Sequence, residues 1–218
     1  MKYKHLSGFI ATLLFILPAF MQGQSLSAAA FFKTDSVPAL YLGIDFTLAK
    51  LINDNESVAT VIQSQQFNGI NDLIVKEYKK YDVQEAYQRT HWSVDLKEVE
   101  ARNLKADPNQ LKSSNDADLH RLKRTDIENL VSNFNYGSNQ GYGILLIMEG
   151  MDKTEKLATI WFTLIDMNTK KVLYTEQVEG KLGSGFGFRN YWSSAIKSAI
   201  NLVKSKKYDQ WKLSAGVK

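Results

Sequence analysis

Between residues 141 and 199, apolar runs alternate with polar punctuation in a pattern that predicts three strands and a closing helix. Ile144 to Met148 form an almost continuous apolar run bounded by glycines, which suits a strand covered on both faces. Leu157 to Met167 is longer and rich in Ile, Trp, Phe and Thr, residues that fit a pleated surface. The charged stretch 149–156, with Gly150, reads as a solvated hairpin loop between them. Asp166-Met-Asn-Thr-Lys-Lys reads as a second tight connection, because Asp and Asn bond their own backbone. Val172, Tyr174, Gln177 and Val178 then alternate imperfectly with Lys171, Thr175 and Glu179, completing an antiparallel meander whose outer strands are free to pair with earlier ones. Trp192, Ala195, Ile196, Ala199, Ile200 and Val203 recur at three- and four-residue steps and give the closing helix one apolar stripe.

Earlier in the chain, residues 39–46 read as a first strand entered through Pro38, with room to extend to Leu51. Ile70, Leu73, Ile74, Tyr78 and Tyr81 mark a helical face. Residues 91–100 read as a strand with Val94, Leu96 and Val99 on its apolar side, so a βαβ unit is open. The polar stretch 103–118, with Pro108, reads as a long exposed loop. Thr125-x-x-Glu128 has the spacing of a capping box, and Ile127, Leu130, Val131 and Phe134 give the helix after it a buried face. The fold expected is α+β (mixed α/β), with a single central sheet of about five strands in the order βαβα-βββα and helices packed on it.

At the other end, Lys2 and Lys4 precede an apolar run over 9–20 and a polar MQGQS exit. That is the pattern of a secretory signal peptide over 1–24, with cleavage between Gly23 and Ser25. A retained amino-terminal anchor is the alternative. Residues 25–37 are a leader, expected either to stay flexible or to dock on an edge, and 38–213 form one domain. The chain has no cysteine, which excludes disulfides, thiolate metal sites, a cysteine nucleophile and lipid attachment at a new terminal cysteine. A periplasmic or extracellular location follows, with no stable membrane span once the signal is removed. Signal removal takes Lys2 and Lys4 and no acidic residue, so the net charge falls from +4 to +2. With charges interspersed, nucleic acid is not an expected partner.

The chemistry-bearing positions are sparse. Gly183-Ser-Gly-Phe-Gly before a helix suits an anion, since glycines let backbone N–H groups approach one. Its spacing matches neither a phosphate-binding loop ending in Lys-Ser/Thr nor a dinucleotide fingerprint. Asp45 lies near a strand end, where ligand sites of open α/β sheets gather. Asp45, Ser184 and Arg189 are therefore the candidate ligand-binding residues, and Trp211 the candidate partner surface, with packing of Tyr208 and Trp211 back onto the body as the alternative. Asp166 is assigned to its turn. His91 and His120 have no metal-ligand spacing, so no metal, cofactor or catalytic residue is expected.

Residues 140–205 carry a resemblance. The strand ending in Asp166, the Thr169, Val172 and Leu173 of the next turn and strand, the glycine-rich stretch and the terminal helix are together similar to CsgG-like and TolB amino-terminal envelope domains. Arg-Asn-Tyr-Trp over 189–192 also resembles a family of secreted Bacteroidetes proteins. The resemblance implies a binding or assembly domain with no catalytic residues to transfer. The expected function is thus an exported, non-enzymatic envelope domain that binds another envelope protein or component. A small-ligand or anion binder, or a hydrolase, at the 183–189 loop is the alternative, and a structural, self-associating role is a third.

Overall fold

The computed structural model describes residues 26–217; the signal-peptide reading lies outside them. In chain order the elements are α1 (Ala28–Lys33), β1 (Ala39–Asp45), β2 (Lys50–Ile52), α2 (59–76), α3 (Val83–Ala86), β3 (Trp92–Val94), α4 (Lys97–Asn103), β4 (Lys112–Ser113), α5 (Arg124–Ser132), β5 (Tyr142–Asp152), β6 (Leu157–Asp166), β7 (Lys171–Lys181) and α6 (187–214). They form a mixed α/β domain around one seven-stranded sheet, more strands than the five or so expected.

β5 is the axis of the sheet. On one side β6 pairs with it antiparallel from Tyr142 to Asp152, and β7 continues the meander beyond β6. On the other side β1 pairs parallel with 142–147 and β2 parallel with 150–152, so β1 and β2 are two halves of one interrupted strand. β3 and β4 then add parallel to β1 and β2 respectively. β1, α2 and β3 thereby make the βαβ unit. β5 is buried along its whole length because both faces are covered. Ile144, Leu146 and Met148 face a core shared with α1, α2 and α6, whereas Leu145 and Ile147 face Val99 of α4 and Ile127 and Val131 of α5. A fully buried side chain of this size contributes about 1.5–3 kcal/mol, so β5 alone is a large share of the stabilisation.

Two helices contain a π-turn that resets their buried stripe. In α6 the apolar positions run from Trp192 to Val203, then the wide turn Val203–Lys207 inserts one residue and returns Tyr208 and Trp211 to the core. α2 does the same between Ile62 and Phe67. Trp211 is consequently 1% exposed. Its indole N–H donates to Glu176 Oε2 at 2.6 Å, so it is a core residue and not a partner surface.

Other expectations are corrected in detail. The 91–100 segment is a strand only at Trp92–Val94; Lys97–Asn103 is helical, with Glu98 and Glu100 in its first turn, where the helix dipole favours acids. The 103–118 stretch contains two short 3₁₀ turns and β4. α5 is capped by Asp126, which accepts the Lys123 N–H at 2.7 Å, while Glu128 pairs with Arg124 at 2.8 Å. Glu149, placed in a solvated hairpin loop by the sequence, lies inside β5 and is fully buried. Its carboxylate accepts from the Leu122 N–H, the Trp161 indole and the Gln177 amide. Among the described residues, only β5 of the meander pairs with earlier strands, and β7 pairs with β6 alone. The leader docks through α1, with Phe31 and Phe32 buried against Tyr142 and Tyr208.

Glu176 ties α6 to the sheet and sets an acid limit. Burial raises its carboxyl pKa, but hydrogen bonds from Lys207, Trp211 and Tyr174 outweigh burial and hold it below the ordinary 4.5. A depressed folded pKa adds stability that is present above 4.5 and is lost as pH falls through the folded value. Glu176→Gln is expected to cost about 1 kcal/mol near neutrality, after allowing for partial solvent screening. The gap to the parent should close in urea titrations well below pH 4.5.

Candidate functional site

Where β7 ends, the chain leaves the sheet and folds back onto α6. The Lys181 N–H donates to Ser198 Oγ at 3.2 Å and the Gly183 N–H to Ser194 Oγ at 2.9 Å. Asn190 Nδ2 donates to the Phe186 carbonyl at 3.1 Å. A Cβ on Gly185 would stand 2.6 Å from the Asn190 carbonyl carbon, so this close approach requires glycine. Phe186 occupies the N-cap of α6 without a side-chain cap, and its ring is 96% exposed.

The fold-back leaves a broad open groove of about 710 Å³. One wall is a stripe of α6 at helical spacing, Asn190, Ser194, Lys197, Ser198 and Asn201. The other is Lys181 and the 183–186 turn, and Lys80 and Tyr81 close the remaining side. The polar residues of this lining are lysines, serines, asparagines and a tyrosine, with no Asp, Glu or His among them. Lys80 pairs with Glu77 at 2.8 Å, and the hydrogen bonds it donates to Glu77 and Tyr81 raise its pKa, so it stays charged. Lys181 and Lys197 form no ion pair among the described residues. The groove can therefore bind an anion through several donors at once. Among the described residues Ser184 makes no side-chain hydrogen bond, and no histidine or carboxylate shares the lining with it.

The candidate ligand residues do not converge. Ser184 lines the groove. Arg189 turns away to α2, donating to Gln66 Oε1 at 3.0 Å and the Gln65 carbonyl at 3.1 Å, and its side chain occupies the space above Gly69. Asp45 is fully buried and accepts from the Thr47 N–H at 2.8 Å, the Thr47 hydroxyl and Arg102 Nε at 2.6 Å. It braces the interruption between β1 and β2. There the side chain of Asn71 bonds both backbone groups of Ile44, and Asn103 bonds the Phe46 N–H. Asp166 serves its turn, accepting from the Asn168 N–H at 2.9 Å.

A second opening, about 280 Å³, lies over the interruption and is lined by Phe46, Leu48, Lys50, Gln63, Phe67 and Arg121 among others. Arg121 donates to the Leu48 carbonyl and so is already engaged in shaping the loop. A third, about 240 Å³, lies against β3 between Tyr41, Tyr81 and Trp92. The second opening also holds two cations outside any ion pair among the described residues, Lys50 and Arg121, but Asp107 shares its lining, whereas the groove's lining contains no acid. The lysines were missed in the sequence because they come from three separated segments; the usable signal was the polar stripe from Asn190 to Asn201 at helical spacing.

No protein-family model and no curated protein matches the chain. It is similar to the crystal structure of a neuraminyllactose-binding hemagglutinin homolog from Helicobacter pylori, at 9% identity and a TM-score of 0.29, over 90% of this chain and 95% of that one. A likeness of that size carries no argument about fold or site.

Proposed function

We propose that this protein is an exported, non-enzymatic domain that binds an anionic component of the bacterial envelope through the groove between α6 and the 183–186 turn. The observation that carries the reading is the lining itself: Lys80, Lys181 and Lys197 with serines and asparagines, and no acid–base pair. Such a surface binds negative charge without acting on it. The signal-peptide pattern and the resemblance of 140–205 to envelope domains support the exported setting. Among the described residues no helix is long and apolar enough to cross a membrane. The small-anion reading uses the same groove and Ser184, and differs only in the size of the ligand.

The test is capture from envelope extract by the protein lacking residues 1–24. The parent should retain a reproducible set of components, released by salt because exposed charges are screened within about 8 Å at physiological ionic strength. The double variant Lys181→Glu, Lys197→Glu should lose at least about tenfold in retention, from two reversed charges at roughly 1 kcal/mol or more each. Its urea midpoint should stay unchanged, since neither lysine pairs in the fold. Equal retention by the double variant would refute the site.

A further inference from the structure

The groove has a feature that a simple anion site does not need. Phe186 stands on its rim at the apex of the 183–187 turn, 96% exposed, the most exposed large apolar side chain among the described residues. Gly185 and Gly187 flank it, the latter with φ of +75°, and the turn is clamped to α6 through Ser194 and Asn190. The ring is thus held outward by a braced turn.

The surroundings say what it meets. A protein interface buries several apolar side chains in a patch. Here the other exposed large apolar residues, Val58, Val61, Tyr78, Val94, Leu104 and Leu213, lie outside the groove lining, and Phe186 shares that lining with Lys80, Lys181, Lys197, serines and asparagines. One aromatic ring amid lysines matches a lipid–water boundary, where the ring enters the interfacial layer and the lysines reach headgroup phosphates.

We propose that the 183–187 turn docks onto an anionic phospholipid surface, with Phe186 entering the interface and Lys80, Lys181 and Lys197 facing the headgroup phosphates. This rests on the anion-binding reading of the groove and names its partner. The docking is peripheral and reversible, since one ring and a few lysines fall short of a stable anchor. It places the α6 N-terminus and its uncapped N–H groups toward the negative surface, the orientation the helix dipole favours.

The test is co-sedimentation with vesicles of the full chain and of the chain lacking residues 1–24. Each lysine near an anionic surface is worth about fivefold in affinity. Vesicles of phosphatidylglycerol and phosphatidylethanolamine should therefore bind at least about tenfold more tightly than phosphatidylcholine vesicles. Phe186→Ser should weaken that binding about tenfold, and because the ring touches solvent the variant should keep its urea midpoint. Inorganic phosphate should compete no better than chloride at equal ionic strength. Equal binding to both vesicle types, no effect of Phe186→Ser, or displacement specific to phosphate would each overturn the lipid assignment. If envelope capture still depends on Lys181 and Lys197 while vesicles fail to bind, the groove stands as an anion site and only the lipid partner is lost.

Discussion

Gly180→Ala is expected to destabilise the protein by about 3 kcal/mol, which in a domain of this size lowers the melting temperature by roughly 6–12 °C. A Cβ on Gly180 would overlap the carbonyl oxygen of Ala195 and stand 2.8 Å from its carbonyl carbon and 3.1 Å from Ala199 Cβ. The obstacle is backbone, which cannot rotate away as a side-chain tip can. α6 would have to lift from β7, opening the contacts of Trp192, Ile196 and Ile200, all buried. Gly183→Ala is the matched control: a Cβ there meets only Ser194, at 3.6 Å or more, so its effect should stay within about 1 kcal/mol. Urea melts of the two variants check the difference. Similar midpoints would mean that α6 is not seated on the sheet as described.

Arg89→Ala should cost a similar amount, about 3–5 kcal/mol, because Arg89 serves several acceptors from inside the protein. The residue is 4% exposed. It donates to the Tyr87 carbonyl at 2.7 Å, the Phe31 carbonyl at 3.0 Å, the Thr34 carbonyl at 2.7 Å and the Tyr208 hydroxyl at 2.7 Å. Its guanidinium also lies 4.2 Å from the centre of the Phe31 ring. Burial pulls its pKa down, with Tyr208 opposing, but a guanidinium starts high enough to keep its proton at physiological pH. Removing it strands carbonyls at the C-terminus of α1 and unties that helix from α6. Lysine cannot replace the planar fork, so Arg89→Lys should recover little. Hydrogen exchange gives a local reading: amides of 28–34 should lose protection in the variant before those of β5 do. Unchanged protection there would show that α1 is held by its two phenylalanines alone.

The parts of the fold legible in the sequence were those specified by local pattern. β5, β6 and β7 could be read because apolar runs of the right length lie between glycines and Asp/Asn turns. The first stretch of α6 could be read because Trp192 to Val203 keep one helical phase. That phase breaks at the π-turn: at 3.6 residues per turn Tyr208 falls about 140° from Val203, and the inserted residue returns it to the core beside Trp211. The interruption between β1 and β2 left no local mark, since the groups that satisfy its backbone, Asn71 and Asn103, are remote in sequence. Glu149 was misplaced for the same reason, its donors coming from Leu122, Trp161 and Gln177. Segment 91–100 defeated periodicity because Val94 and Leu96 stand two residues apart, as in a strand, whereas Leu96 and Val99 stand three apart, as in a helix. Of the candidate site, the glycine run and Ser184 were visible, but the charge that gives the groove its character is assembled only by folding, from Lys80, Lys181 and Lys197.

The groove's role is tested most directly by hydrogen–deuterium exchange of the parent protein with and without envelope extract, followed peptide by peptide. Protection should rise over 181–187 and along the first turns of α6 to Asn201, and should vanish in the Lys181→Glu, Lys197→Glu variant. Protection gathered instead around 46–49 and Arg121, or none at all in extract that the protein demonstrably retains, would contradict the assignment of binding to this groove.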